Sequence, residues 1–185
     1  MNPSRITAVL LAGLCWCAAS EPRVRPPEWA QPVIASTLEN CFRVSDDLFR
    51  SAQPGRADLP DLQALGIRSV ITLRSFHFDD IFERSGLQVI KYPLSAGSVA
   101  ASDLVAVLRQ FRVAEKPLLI HCWHGSDRTG FIVAGYRMVF QNWSRESAIE
   151  ELRLGGFGYH EPSYPNIIKT LREMDLAAVK KAVFE

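Results

Sequence analysis

The sequence predicts an α/β domain in which a central, mostly parallel sheet is flanked by helices. From about residue 68 onwards, short apolar segments typical of buried strands alternate with segments of helical periodicity, and this alternation is typical of parallel sheets. Of the 185 residues, 48% are hydrophobic and 22% are charged, which is the balance of a single globular domain. A formal net charge of +1 without a basic stripe argues against a nucleic-acid-binding protein.

The N-terminal residues 1–19 are predicted to be a signal peptide. Arg5 precedes an almost wholly apolar run over residues 6–16, and small residues suited to cleavage follow it. The run is shorter than the about 20 apolar residues that a spanning helix needs, and no later segment supplies such a run. We therefore expect an exported, periplasmic protein without a transmembrane segment.

The four cysteines fall into two groups. Cys15 and Cys17 lie in the predicted signal peptide, where a lipid anchor on either one is the competing interpretation. A bulky residue precedes each of them, although a small residue is expected just before a lipidated cysteine. Cys41 and Cys122 remain after cleavage. They either stay free, with Cys41 structural, or pair as a disulfide in an oxidising compartment.

Residues 20–39 are predicted to form an extended N-terminal arm, and residues 40–185 a single folded domain. Four of the eleven prolines lie between residues 21 and 32. This composition favours an extended conformation along the surface, where Trp29 could dock.

The first half of the domain is predicted to begin with a hairpin. Two short strands flank a turn of Ser45, Asp46 and Asp47, and a helix follows that Gly66 can close. A buried strand, a helical segment and a second buried strand come next. The predicted strands cover residues 42–44, 48–50, 68–73 and 87–92, and the predicted helices cover residues 59–65 and 78–84.

The second half is predicted to contain one strand between helices. Ser102 can cap a helix whose apolar residues recur at helical spacing up to Val113. A short apolar strand over residues 117–122 then leads directly into a glycine-containing loop. Three further helices are predicted over residues 129–141, 144–154 and 163–183.

The strand that ends at His121 and Cys122 is followed by the most specific motif of the chain, HCWHGSDRTG over residues 121–130. Ligands of such folds bind at the carboxyl ends of strands, so this loop is the predicted site. Backbone N–H groups in a loop that opens a helix can cradle a phosphate, and Arg128 can clamp two of its oxygens. The same positive field favours the thiolate of Cys122, a nucleophile beneath the bound phosphorus.

This segment resembles the signature of the cysteine-dependent protein tyrosine and dual-specificity phosphatases, HCxxGxxR followed by Ser or Thr and by Gly. Every fixed position is present, and residues 48–54, 65–74 and 155–158 also resemble the compact bacterial branch of this superfamily. The resemblance implies a dual-specificity-phosphatase-like fold. It also implies hydrolysis in two steps through a cysteinyl-phosphate, without metal or cofactor, of a phosphorylated protein or a small phosphorylated molecule.

The resemblance further implies roles for the residues of the loop. Cys122 would take the phosphoryl group, Arg128 would hold it, and Thr129 would hydrogen-bond the Cys122 sulfur as that sulfur leaves. His121 would lie behind the thiolate and tune it. The main chain of the loop would supply the remaining donors. The candidate substrate-binding residues are Trp123 and His124, at the rim of the pocket, with Gly125 and Ser126.

The sequence departs from the family at the residue that protonates the leaving oxygen. Family members carry an aspartate there, but the matching position is at or near Gly97, with no carboxylate between residues 92 and 101. Asp103 falls in the next helix, and Asp79 and Asp80 are farther away. Asp127 is the favoured candidate, because the myotubularin-type phosphoinositide phosphatases resemble this chain in having Asp directly before the loop arginine. A phosphate dianion would favour its protonated form. The alternative is that Asp127 pairs with a neighbouring basic residue or faces solvent.

Three functions remain open on the sequence. Phosphotyrosine in proteins is the first substrate. An inositol phosphate or phosphoinositide is the second, although the variable positions of the loop bring no Lys or Arg to bind its dense charge. A phosphate-binding pseudophosphatase is the third, which the missing acid near Gly97 favours. A rhodanese-like sulfur carrier would not need the Arg128-Thr129-Gly130 segment.

Four other residues are set aside on simpler interpretations. Arg50 and Ser51 could approach the loop around Cys122, but the preferred interpretation is a strand end and turn. His77 and His160 have no partner at metal-ligand spacing, so no metal site is predicted.

Overall fold

The computed structural model describes residues 24–34, 36–75, 82 and 84–185 of the chain. The predicted signal peptide with Cys15 and Cys17 lies outside the described residues, as does most of the helix predicted over residues 78–84. Within the described ranges, no helix is both long and apolar enough to cross a membrane.

A mixed sheet lies at the centre of the domain. The strands found among the described residues are β1 Gln31–Pro32, β2 Phe42–Arg43, β3 Leu48–Ser51, β4 Ser69–Thr72, β5 Gln88–Lys91 and β6 Leu118–His121. Their order in the sheet is β1-β2-β3-β6-β4-β5. β3, β6, β4 and β5 are parallel, whereas β1 and β2 pair antiparallel at one edge. The prediction of an α/β fold with a mostly parallel sheet is confirmed.

Helices cover both faces of this sheet. The described helices are α1 Leu59–Ala64, α2 Ala101–Val113, α3 Asp127–Phe140, α4 Arg145–Leu154, α5 Pro165–Glu173 and α6 Leu176–Phe184. The apolar side chains of α2 to α6 form one large core cluster, and α1 contributes Leu62 to a smaller one.

Successive residues of the central strands enter the two clusters alternately, because side chains of a strand point to opposite faces of its sheet. In β6, Leu118 and Ile120 enter the larger cluster, while Leu119 enters the smaller one. This burial on both faces explains why the parallel strands are almost continuously apolar in the sequence.

Several helix boundaries differ from those predicted, and side-chain caps explain two of the differences. The helix predicted over residues 163–183 is interrupted, because the side chain of Asp175 accepts the N–H of Ala178 at 3.0 Å and so begins α6 as a separate helix. Ser102 does not cap α2. Its N-cap is Ala100, whose N–H is accepted by the Asp103 carboxylate at 2.8 Å.

The described residues of the N-terminal arm pack against the rest of the domain. Gln31–Pro32 pairs with Phe42–Arg43 as the exposed edge of the sheet, and Trp29 and Ala30 are buried. Backbone pairing, which depends on no side-chain pattern, holds this segment.

A buried ion pair connects the arm to the helices. The guanidinium of Arg137 in α3 donates to both carboxylate oxygens of Glu151 in α4, at 2.8 and 2.6 Å. The same carboxylate accepts the N–H of Ala30 at 2.6 Å. Both side chains are only 2% exposed, so each charge depends on the other for compensation.

We expect Glu151→Ala to destabilise the fold by about 3–5 kcal/mol, because it leaves the Arg137 charge buried without its partner. Urea denaturation followed by circular dichroism measures the change in the free energy of unfolding. Glu173→Ala, at an exposed position of α5, is the matched control and should cost less than about 0.5 kcal/mol. Equal stability of the two variants would contradict the role assigned to this pair.

Candidate active site

The loop between β6 and α3 lies at the carboxyl end of the sheet. In the parallel register, His121 of β6 lies between Ser51 of β3 and Thr72 of β4. Cys122 follows directly, and α3 begins at Asp127, two residues earlier than predicted. The loop therefore connects the middle of the sheet to the N-terminus of a helix, where the helix dipole and free N–H groups favour an anion.

Gly125 allows this loop to rest on the end of β3. Its φ is +71°, and a Cβ at this position would lie 2.4 Å from the Ser51 carbonyl oxygen and 2.7 Å from the Ala52 nitrogen. Any other residue would meet backbone atoms that cannot move aside. The glycine of the motif is therefore required by close backbone contact as well as by its left-handed conformation.

Cys122 is a free thiol at the start of the loop and is 2% exposed. Cys41 is also free and buried, and burial raises its pKa to about 11. The two thiols belong to different core clusters, so the structure contains no disulfide between them.

Arg128 lies in the first turn of α3, and its side chain contacts the segments that follow β4 and β5. Its Nη1 donates to the carbonyl of Leu73 at 3.2 Å and to that of Leu94 at 3.5 Å. These bonds fix the guanidinium at the edge of a cavity and leave its other N–H groups available for an oxyanion.

The cavity beside the loop has a volume of about 510 Å³. Trp123 and His124, expected at the rim, both line it, and Trp123 is 52% exposed. Arg74 covers the indole of Trp123, with its guanidinium carbon 3.9 Å from the ring centre. The described residues around the cavity are Arg74, Ser75, Leu94, Ser95, Ala96, Trp123, His124, Asp127, Arg128 and Tyr164. The predicted residues Gly125 and Ser126 are buried, and neither is among these lining residues.

Asp127 lines the same cavity but is bound to His160. It accepts the backbone N–H of His160 at 2.9 Å, and its other oxygen lies 3.0 Å from the Nδ1 of the same residue. The interpretation in which Asp127 pairs with a basic residue therefore describes its contacts. Sequence reasoning considered His160 only as a metal ligand and missed this pairing across 33 positions.

The other carboxylate near the site faces elsewhere. Asp103 caps α2, and Gly97 lies in a short 3-10 turn over Ala96–Ser98. Asp79 and Asp80 lie outside the described residues. Asp127 is the one carboxylate among the described residues that line the cavity.

Thr129 and His121 are fully buried on either side of the loop. The hydroxyl of Thr129 has no hydrogen-bond partner among the described residues. The Nδ1 of His121 lies 3.2 Å from the Cys122 carbonyl oxygen. Both side chains are thus held within the site rather than at its surface.

Arg50 lies near the end of β3 and also contacts the loop, which is the alternative that the sequence left open. Its side chain is 1% exposed, and its Nη2 donates to the Gly125 carbonyl at 2.6 Å. Its guanidinium carbon lies 3.7 Å from the centre of the Phe157 ring. The signal was a charged residue inside an otherwise buried strand, which requires compensation nearby.

The described residues contain no group of three or more His, Cys, Asp or Glu side chains that could hold a metal ion. The site brings together a thiol, a guanidinium and a loop that opens a helix. Together they can bind a tetrahedral oxyanion and attack it.

Comparison of the sequence with known proteins identifies the family. Residues 37–164 match the tyrosine phosphatase family. The dual specificity protein phosphatase TpbA of Pseudomonas aeruginosa is 39% identical over 146 residues, which is 76% of this chain and 65% of that protein. An inositol diphosphatase of Arabidopsis thaliana is 26% identical over 160 residues, which is 78% of this chain and 74% of that protein.

Comparison of the structures agrees with the fold. A crystal structure of P. aeruginosa TpbA superposes with a TM-score of 0.79 at 32% identity, covering 88% of this chain and all of that one. A TpbA variant in complex with pTyr gives the same score and identity, covering 88% of this chain and 99% of that one. A PP-IP phosphatase core of S. cerevisiae, at 21% identity and a TM-score of 0.68, covers 78% of this chain and 90% of that one, and it shares the fold.

We expect Gly125→Ala to weaken the binding of inorganic phosphate, because the added methyl group pushes the loop away from β3. Backbone strain of about 1–3 kcal/mol corresponds to a loss of roughly tenfold to a hundredfold in affinity. Isothermal titration calorimetry measures this affinity. Gly97→Ala is the control, since its Cβ meets only the Ser95 hydroxyl at 4.0 Å. Unchanged phosphate binding in Gly125→Ala would show that the loop does not depend on this contact.

Proposed function

Because this chain belongs to the tyrosine phosphatase family, we propose that it is an exported phosphatase that hydrolyses phosphate monoesters through a cysteinyl-phosphate, with phosphotyrosine in proteins as its substrate. One observation carries the proposal. Cys122 ends a buried strand at the start of a loop whose following helix places Arg128 at the edge of a cavity. This is the arrangement of a nucleophile with an oxyanion clamp.

In the first step, the Cys122 thiolate attacks phosphorus while Arg128 and the N–H groups at the start of α3 hold the phosphate oxygens. The sulfur–phosphorus bond forms as the phosphorus–oxygen bond to the leaving group breaks. The leaving oxygen takes a proton from an acid in the site. The charge that develops on the phosphoryl group is stabilised by donors that are already in place.

In the second step, water attacks phosphorus, passes a proton to the conjugate base, and inorganic phosphate leaves. The sulfur–phosphorus bond breaks and the thiolate returns. The buried hydroxyl of Thr129, which has no other partner among the described residues, is suited to donate a hydrogen bond to the departing sulfur.

Asp127 is the proposed acid. It is the one carboxylate among the described residues that line the cavity. In the proposed mechanism, the neighbouring Arg128 holds the phosphate. Two contacts with His160 hold the carboxyl group of Asp127 at the edge of the cavity, where a bound phosphate ester would lie.

An inositol phosphate or phosphoinositide is the second candidate substrate, favoured by a specific observation. Arg74, two residues after β4, lines the cavity together with Arg128. It supplies a positive charge that the variable positions of the loop do not provide. The similarity to an inositol diphosphatase supports the same alternative.

We expect the reduced protein, with chelator present, to release phosphate from a phosphotyrosine peptide, and Cys122→Ser to reduce this release to background while still binding phosphate. The panel also contains a phosphoserine peptide, an inositol polyphosphate and a phosphoinositide. Cys41→Ser is the matched control and should retain activity. Release by Cys122→Ser at the wild-type rate would refute the mechanism. Phosphate binding by wild type without release from any substrate would instead favour a phosphate-binding pseudophosphatase.

We expect Asp127→Asn to lower kcat by about 100-fold for phenyl phosphate and by less than about tenfold for p-nitrophenyl phosphate. The poorer leaving group needs the proton more. Asp103→Asn, which alters a helix cap outside the cavity, should change neither rate by more than about twofold. Equal losses of Asp127→Asn on both substrates would remove Asp127 from the role of acid.

A further inference from the structure

Arg50 places a positive charge inside the protein directly beneath the loop. It is the third residue of β3 and lies beside Ile120 of β6, two residues before Cys122. Its side chain is 1% exposed, and its Nε has no hydrogen-bond partner among the described residues. Burying a guanidinium costs free energy unless neighbouring groups compensate it. The contacts of the Arg50 side chain therefore indicate its role.

The first contact of Arg50 is with the backbone of the loop. Its Nη2 donates to the Gly125 carbonyl at 2.6 Å, while Gly125 itself rests against Ser51. A carbonyl held in this way cannot rotate towards the cavity, where its oxygen would repel a phosphate. Arg50 therefore fixes the direction of a peptide group in the middle of the phosphate cradle.

The second contact is electrostatic. Burial lowers the pKa of Arg50 to about 10, and the charges of Glu151 and Cys122 oppose this shift, while Arg137 and Arg25 add to it. Arg50 is therefore still cationic at neutral pH. Arg50 pairs with Ile120, two residues before Cys122, so this cation lies on the neighbouring strand beside the thiol, and a nearby cation favours a thiolate.

The third contact of Arg50 is with the aromatic ring of Phe157. Its ring lies 3.7 Å from the guanidinium carbon and is itself 1% exposed. A cation over a desolvated aromatic face is held in position by that ring. Phe157 therefore helps to keep the guanidinium beneath the loop.

We propose that Arg50 is a positioning residue of the site, which orients the Gly125 carbonyl and stabilises the Cys122 thiolate from beneath the loop without touching the substrate. The inference rests on the proposed function, because it assigns Arg50 to the nucleophile of that reaction. It adds a buried cation to Arg74 and Arg128, which line the cavity.

The test is the pH dependence of Cys122 alkylation by iodoacetamide, followed by mass spectrometry so that Cys41 is counted separately. We expect Arg50→Met to move the midpoint of Cys122 alkylation upwards by about one pH unit and to lower kcat/KM at pH 7 about tenfold, since one unit is a tenfold change in thiolate. Arg50→Lys keeps the charge and should restore the midpoint. Arg43→Met removes an exposed arginine from the neighbouring strand β2 and should leave both values unchanged.

Arg50→Gln is a second neutral variant, in case Arg50→Met does not fold. Circular dichroism shows whether each variant is folded. Arg50→Gln can still donate to Gly125 but has no charge, so we expect the same upward shift with phosphate affinity better retained than in Arg50→Met. A folded neutral variant with its midpoint within about 0.2 pH units of wild type would overturn the proposal. If neither neutral variant folds, Arg50→Lys decides, because wild-type phosphate affinity with a shorter donor would refute the positioning of Gly125. Wild-type protein without phosphatase activity would refute the proposed function, whereas the alkylation midpoints would still decide the role of Arg50.

Discussion

The site depends on the contact between the Gly125 backbone and the end of β3. Cys122 leaves the middle of the sheet, and α3 must begin five residues later. The chain can make this turn because Gly125 takes a left-handed conformation with no side chain between it and Ser51. The turn directs the N-terminus of α3 towards the cavity, and that terminus brings Arg128 and the free N–H groups to the same point. Without this contact, the proposed nucleophile Cys122 and the proposed oxyanion clamp Arg128 would not face the same anion.

Buried charge connects the site to the rest of the fold. Arg50 holds the loop, and the charge of Glu151 opposes the effect of burial on Arg50. Glu151 in turn accepts hydrogen bonds from Arg137 and from the Ala30 backbone. The Glu151 carboxylate therefore interacts with the N-terminal arm, with α3 and, through Arg50, with the loop between β6 and α3. Such a network is stable only when every member is present, because each charge left alone in the interior is costly.

The sequence predicts the sheet and the loop well, because both leave strong local signals. Strands buried on both faces are apolar throughout, and the motif around Cys122 has fixed positions whose chemistry is explicit. The features it misses depend on contacts between distant residues. The edge strand at Gln31 pairs through its backbone, α6 separates from α5 because Asp175 caps it, and Asp127 meets His160 across 33 positions. Arg50 was visible as a charge in a buried strand, but its partner Gly125 lies 75 positions away.

The contacts of Asp127 bear on which phosphate ester the site can cleave. Asp127 accepts the backbone N–H of His160 and contacts its ring, and these contacts hold the carboxyl group at the edge of the cavity. As the proposed acid, Asp127 serves the reaction by giving a proton to the leaving oxygen, and the need for that proton depends on how basic this oxygen is. A tyrosine leaves as a phenolate, whose conjugate acid has a pKa of about 10, whereas a serine leaves as a far more basic alkoxide. A phosphotyrosine substrate would therefore depend less on the proposed acid than a phosphoserine substrate would.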